Sequence, residues 1–259
     1  MALPRDIEVI YGVNPVLEAL RSGEPAIERV LIAKGRGAKA VEPVLKLTRE
    51  RGIATGFADR QELDRLAGRT GHQGVAALCR PFRYASLEEA AGGEDNRGHR
   101  LVVVLDGITD PQNLGAIIRT ACCFGASGIV IPEHRAAPVT PAVMKASAGA
   151  AGRIRVARIG NLAQVLDALK EMGFWIYGTD ATGGRELDAA SFEGDAAVVM
   201  GSEGSGLRPL IRRKCDFLLS IPMTGDFDSL NVSVAAGILL YEVSRRRNPC
   251  RRQVGTPTI

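Results

Sequence analysis

Short apolar runs alternate with stretches of helical spacing along most of the chain. In the first 81 residues, Ile7–Ile10, Arg29–Ala33, Ile53–Phe57 and Gly74–Cys79 read as strands. Each is a brief run rich in apolar residues, and most are bounded by turn signals. Val13–Arg21 and Ala38–Arg51 read as helices, the second from apolar positions at Val41, Val44, Leu45 and Leu47. Gly52 stops that helix, and Asp59 is placed to cap another through Leu66. These elements predict one α/β unit over residues 1–81.

The pattern lapses over 82–100, where AGGEDNRGHR offers charge and glycine and little to bury. This stretch reads as a linker, with room for a helical turn at Ser86–Ala91. From Leu101 the alternation resumes. Leu101–Asp106, Gly128–Ile131, Ile154–Ala157, Phe174–Asp180, Ala196–Gly201 and Phe217–Pro222 read as strands. Leu114–Phe124, Ala142–Ala150, Leu162–Glu171 and Val232–Arg247 read as helices between and after them. Continuous apolar strands alternating with helices predict a parallel sheet covered on both faces. In such sheets ligands sit where loops leave the carboxyl ends of strands. The loops after Asp106, Asp180, Gly201 and Pro222 are therefore the places to look.

Composition narrows the chemistry. Aromatic residues make up only 5%, so stacking is not the main means of holding nucleic acid. No apolar run approaches the roughly 20 residues that span a bilayer, and the N-terminus lacks an apolar leader core. The expected location is the cytoplasm. Cys79, Cys122, Cys123, Cys215 and Cys250 form no CxxC pair, and His72, His99 and His134 lie far apart. That spacing offers no metal site and predicts buried free thiols. The net charge of +4 owes much to Arg245, Arg246, Arg247, Arg251 and Arg252 in the acid-free C-terminal 15 residues. A basic tail suits a polyanionic partner, although a solvated helix end has the same composition.

Three loops carry candidate chemistry. In Asp106–Ala121 (DGITDPQNLGAIIRTA), Asn113 stands at a helix start and Arg119 on the exposed side of that helix. Asn113 taken alone is an N-cap and Arg119 a surface arginine. In Val198–Leu207 (VVMGSEGSGL), Gly201, Gly204 and Gly206 allow close approach of backbone to a ligand. The spacing is neither a Walker loop nor GxGxxG. Glu203 among those glycines would repel phosphate and suit a cationic ligand. In Ile221–Leu240 (IPMTGDFDSLNVSVAAGILL), Ser229 and Asn231 open the last long helix, and either can cap it.

In this order the three loops resemble the three motifs of the SpoU/TrmH family of RNA ribose 2′-O-methyltransferases. The first 81 residues are similar to that family's L30e-like RNA-binding domain, through IYGVNPVLEAL and the HQG at His72–Gly74. The layout is closest to the RlmB-type subgroup, which acts on a guanosine in the peptidyl-transferase P loop of 23S rRNA. The resemblance implies an α/β fold with a C-terminal trefoil-knot methyltransferase domain over 101–259, a recognised exception to the rule against knots. It implies a homodimer and S-adenosylmethionine as cofactor, held at Thr179, Gly201, Ser202, Ile221, Met223, Leu230 and Asn231. Asn113, Arg119, Glu203, Ser229 and Asn231 match the family's functional polar residues. The match departs around Ala148–Arg155, where relatives often carry a glutamate.

The implied reaction is methyl transfer to a ribose 2′-hydroxyl in structured RNA, 23S rRNA or, as the alternative, tRNA. Arg153, Arg155, Arg158 and the tail arginines are candidates for backbone contacts. A non-catalytic RNA-binding assembly factor would have no reason to keep all five polar residues. A nucleotide-binding protein would need the phosphate loops that are missing here.

Overall fold

The computed structural model describes residues 7–22, 26–68, 71–93, 98–180, 183–225 and 229–247. They fall into two compact units, Met1–Arg83 and Tyr84–Ile259.

The first unit contains β1 (Glu8–Tyr11), α1 (Val13–Ser22), β2 (Ile27–Ala33), α2 (Ala38–Glu50), β3 (Ala54–Ala58), α3 (Arg60–Ala67) and β4 (Val75–Cys79). Its sheet runs β1-β4-β2-β3, with β4 antiparallel to both neighbours and β2 parallel to β3. The uninterrupted run Val75–Cys79 is buried because apolar clusters form on both sides of it. Val16, Leu20, Val44 and Ala77 belong to one, Leu63 and Ala76 to the other. Asp59 stands at the start of α3 but makes no side-chain cap; it pairs with Lys34 at 3.2 Å instead. His72 is buried, and its Nδ1 accepts the Gly74 N–H at 2.9 Å, so Nε2 carries the proton towards Asp64 at 3.1 Å. The HQG turn is thus built around a satisfied histidine.

The second unit begins within the stretch expected to be a linker. Ser86 and Glu89 cap one another's backbone N–H groups at 3.2 and 2.9 Å and start α4 (Leu87–Ala91). Gly128 lets α4 press onto the sheet, since a Cβ there would meet the Ala90 carbonyl at 2.4 Å. There follow β5 (Leu101–Asp106), α5 (Pro111–Cys123), β6 (Gly128–Pro132), α6 (Pro141–Ala146), β7 (Arg155–Ile159), α7 (Leu162–Glu171) and β8 (Trp175–Thr179). The unit ends with β9 (Arg185–Glu186), β10 (Ala196–Gly201), α8 (Pro209–Lys214), β11 (Phe217–Ser220) and α9 (Val232–Arg247).

Seven strands form one sheet in the order β7-β6-β5-β10-β8-β11-β9, and every pairing is parallel. Val102, Val104, Ala197 and Val199 pack with α4, α7 and α8 residues on one face. Alternation sends Val103 and Val198 to the other, where α5 packs between α6 and α9. The expected sheet covered on both faces is present. Helix α8 and the two-residue β9 were not anticipated. Cys79 is buried as expected and burial pushes the Cys215 thiol up to about 12, but Cys123 is exposed on α5. Cys250 lies outside the described residues.

Candidate active site

The carboxyl ends of β8, β10 and β11 meet around one cavity. Gly201 closes β10, and no other residue fits: a Cβ would lie 2.1 Å from the Gly206 carbonyl carbon. The loop folds back on itself through paired bonds between Ser202 and Gly206, 3.2 and 3.0 Å. Gly204 and Gly206 take φ of +83° and +64°, conformations that glycine adopts without strain. Beyond the loop, Arg208 donates its backbone N–H (2.9 Å) and Nε (2.6 Å) to the buried carboxylate of Asp106. The loop is therefore fixed at both ends and holds Glu203 at its tip.

One oxygen of Glu203 collects three donors. Asn113 Nδ2 lies at 3.1 Å, Asn231 Nδ2 at 2.5 Å and the Val232 backbone N–H at 3.2 Å. Asn231 also donates to Asn113 Oδ1 at 3.1 Å. Asn113 is free for this because Asp110 caps α5, accepting from the Gln112 N–H at 3.0 Å, with Pro111 in the first turn. The isolated reading of Asn113 as an N-cap is corrected accordingly. At the second helix the cap is Asn231, whose Oδ1 accepts from Ser233 N at 2.9 Å. Ser229 is left to line the cavity.

The cavity encloses about 410 Å³, within the roughly 300–1,000 Å³ of small-molecule sites. Thr179, Gly201, Ser202, Ile221, Met223 and Leu230 all line it, as does Glu203. Asn231 and Asn113 stand behind Glu203 rather than on the wall. Arg119 is also off the wall, exposed on α5, and its side chain makes no ion pair among the described residues. Sequence reasoning missed the floor that α9 supplies through Val232, Ala235 and Leu239. It also missed Asp180, held by Arg212 Nε at 2.9 Å. Asp180 ends a strand singled out in advance, but its partner lies on the unforeseen α8.

Among the described residues the lining contains no lysine or arginine, while Glu203 and Asp180 both face it. Apolar walls, strand-end backbone and carboxylates suit a cationic cofactor with an apolar body, and provide no cradle for phosphate. S-adenosylmethionine fits that set. Among the described residues no group of three or more His, Cys, Asp and Glu could hold a metal.

Several arginines expected to meet RNA are engaged within the protein. Arg158 donates to the Glu133 carbonyl at 3.2 Å and lies over the Tyr84 ring. Arg245 and Arg246 pair with Glu242 at 2.6 and 2.5 Å, and Arg247 is buried, donating to the carbonyls of Phe192, Gly194 and Arg100. Arg153 and Arg155 are exposed. Arg251 and Arg252 lie outside the described residues.

Residues 100–241 match the SpoU rRNA Methylase family, and residues 9–85 match the RNA 2′-O ribose methyltransferase substrate binding family. YacO of Bacillus subtilis (strain 168), which bears the name of a TrmH family tRNA/rRNA methyltransferase, is 41% identical over 244 residues, 93% of this chain and 97% of that protein. The structure of the SpoU methyltransferase AviRb from Streptomyces viridochromogenes with AdoMet superposes with a TM-score of 0.68 at 28% identity, covering 93% of this chain and 91% of that one. The AdoMet-bound rRNA methyltransferase from Sinorhizobium meliloti gives 0.66 at 28% identity, covering 93% and 88%. The two-part α/β fold expected from the motifs is the fold these neighbours share. With motifs, strand-end cavity and full-length relatives in agreement, this chain belongs to the SpoU/TrmH family of S-adenosylmethionine-dependent tRNA/rRNA methyltransferases.

Proposed function

We propose that the protein methylates a ribose 2′-hydroxyl in 23S rRNA, at a guanosine of the peptidyl-transferase P loop, acting as a cytoplasmic homodimer. The observation that carries the reading is the Glu203 junction, which ties two strand-end loops and the start of α9 around a cavity with no cation among its described lining residues. The full-length likeness to an rRNA methyltransferase supports rRNA as the substrate class. A tRNA substrate is the second reading, favoured by the tRNA/rRNA name of YacO.

S-adenosylmethionine supplies an electrophilic methyl group on a sulfonium. The chain then has to align the acceptor oxygen and manage its proton. Arg119 presents a planar guanidinium fork of N–H donors, matched to phosphate oxygens. Its role is to bind the phosphate beside the target ribose and stabilise the developing alkoxide. Asn113, Asn231 and Glu203 fix the loop geometry on which that alignment depends, with Ser229 on the cavity wall. Thr179, Gly201, Ser202, Ile221, Met223 and Leu230 contact the cofactor.

The homodimer is supported by an uncovered apolar stripe on α9. Val234, Ile238 and Tyr241 recur at helical spacing and are 51%, 39% and 55% exposed. Tyr241 meets Phe124, at the end of α5, edge to face at 6.1 Å. No described helix is long and apolar enough to cross a membrane.

Transfer of labelled methyl from S-adenosylmethionine to 23S rRNA and to tRNA transcripts, with mapping of the modified ribose, tests the substrate. Label on a base rather than a 2′-oxygen would overturn the reaction, and label on tRNA alone would select the second reading. Arg119→Ala is expected to lower the single-turnover rate at least about a hundredfold. A near wild-type rate would exclude the role given to Arg119.

A further inference from the structure

Four described residues other than glycine have positive φ: Gln73 at +51°, Arg135 at +57°, Ala148 at +50° and Phe192 at +52°. The fold accounts for three. Gln73 Oε1 accepts the Val13 N–H at 3.1 Å. Ala148 ends α6 beside Gly149 and has only a methyl group to place. Phe192 is fully buried against Tyr177, ring centroids 4.8 Å apart. Arg135 is exposed, and its side chain makes no hydrogen bond or ion pair among the described residues. Glycine would occupy that backbone without strain, so nothing among the described residues explains the arginine.

Its surroundings do. Arg135 lies in the loop between β6 and α6, which is held along its length. Glu133 N–H donates to Ile159 O at 2.9 Å, Ala137 N–H to Ile108 O at 2.8 Å and Val139 N–H to the Tyr84 hydroxyl at 2.9 Å. The loop adjoins the cofactor cavity. A Cβ on Gly107 would lie 3.9 Å from the Arg135 carbonyl and 3.6 Å from Ser202 Cβ, and Ser202 lines the cavity. Among the described residues the wall carries carboxylates and no cation, so a polyanion brought to its mouth calls for cations around the rim.

We infer that Arg135 is a phosphate-binding residue for the substrate RNA, carried on a braced loop beside the cofactor cavity. The inference rests on the RNA-methylating function proposed above. Its strained backbone positions a charge that no described residue of the chain uses.

Binding of 23S rRNA and tRNA transcripts to the full chain, measured over a series of salt concentrations, tests this with Arg135→Gly and Arg135→Asn. Both replacements tolerate positive φ, so the loop is retained. Expected are a roughly tenfold weaker RNA affinity and a salt slope smaller by about 0.9, the change for a single phosphate no longer neutralised. S-adenosylmethionine affinity stays within about twofold, and the Arg135→Gly melting temperature does not fall. RNA affinity within about twofold of wild type in both variants overturns the inference. So does a fall in cofactor affinity and melting temperature together, which marks a structural residue. Wild-type protein that binds RNA but transfers no methyl group sinks the proposed reaction and leaves the Arg135 comparison readable, because binding needs no turnover.

Discussion

Glu203 is one carboxylate among many on this surface until its partners are considered. Its Oε1 receives two asparagine amides and a helix N–H, and charge-assisted bonds of this kind are stronger than neutral ones. Glu203→Gln keeps the shape and removes the charge. It is expected to weaken S-adenosylmethionine binding by roughly tenfold, about 1.4 kcal/mol, as read by titration calorimetry. An unchanged affinity would show that the junction does not shape the cavity. Gly201 makes a sharper case. Gly201→Ala would drive a methyl into the Gly206 carbonyl carbon at 2.1 Å and the Leu207 nitrogen at 2.4 Å. Cofactor binding should be lost, while Gly225→Ala, with open space around it, should bind as wild type. Asn113, Glu203, Ser229 and Asn231 were all present in the sequence reading, but their division of labour was not. Asp110 and Asn113 lie three positions apart, Ser229 and Asn231 two, and within each pair either side chain can cap a helix. Only the three-dimensional position of Glu203, far along the chain, separates cap from junction.

The same asparagine shows how an element and a site share one side chain. Asn231 Oδ1 caps α9 while its Nδ2 serves Glu203 and Asn113. Asp is as good a cap as Asn, but it has no amide to donate and would set a second carboxylate against Glu203. Asn231→Asp should therefore lose cofactor affinity and activity beyond the cap term, whereas Asn231→Ala should also lose about 1 kcal/mol of helix stability. Equal melting of the two variants would deny the capping role. Between α5 and α6, Gly115 sits where a Cβ would be 2.4 Å from Ala146 Cβ and 2.9 Å from Ser147 N. Alanine gains nearly 1 kcal/mol in helix propensity, yet the overpacking should win, with Gly115→Ala less stable by about 1–2 kcal/mol in urea unfolding. Elements with apolar periodicity were legible to within a few residues. Helix α8 was not, because PLIRRK has only two apolar residues and follows a glycine loop. Strand β9 was not either, since two exposed residues carry no pattern.

Across the molecule, a parallel sheet separates two kinds of work by strand direction. The cofactor cavity lies at the carboxyl ends, where Gly201 finishes β10. At the opposite end of that strand Asp195 accepts Arg100 N–H (2.6 Å), Nε (2.9 Å) and Nη2 (2.6 Å), and Arg247 from the end of α9 closes over the neighbouring carbonyls. Nothing in the sequence distinguished Arg247 from its neighbours in a basic run, because its burial depends on Phe192 and Gly194 more than fifty residues earlier. Burial works against the Asp195 charge, but the Arg100 hydrogen bonds outweigh it and hold the carboxyl below the ordinary range. Glu242 is drawn down to about 2, chiefly by its bond from Arg245, with Arg246 adding to it. Both groups have folded pKa values below their unfolded ones. Their stabilisation is complete above the unfolded values, 3.8 and 4.5, and is lost as pH falls through the folded values. Urea unfolding should therefore show stability declining below pH 4.5, with the Glu242 share gone only near pH 2. Asp195→Asn should cost about 2 kcal/mol at neutral pH and flatten part of that acid decline. Strand steps of about 3.3 Å from Asp195 to Gly201 put it roughly 20 Å from the cavity, so S-adenosylmethionine affinity should not change in the variant. A pH profile as steep as wild type would place the acid sensitivity elsewhere. A loss of cofactor binding would mean that the two ends of the sheet are coupled through β10, and that the staple under the strands is part of the machinery above them.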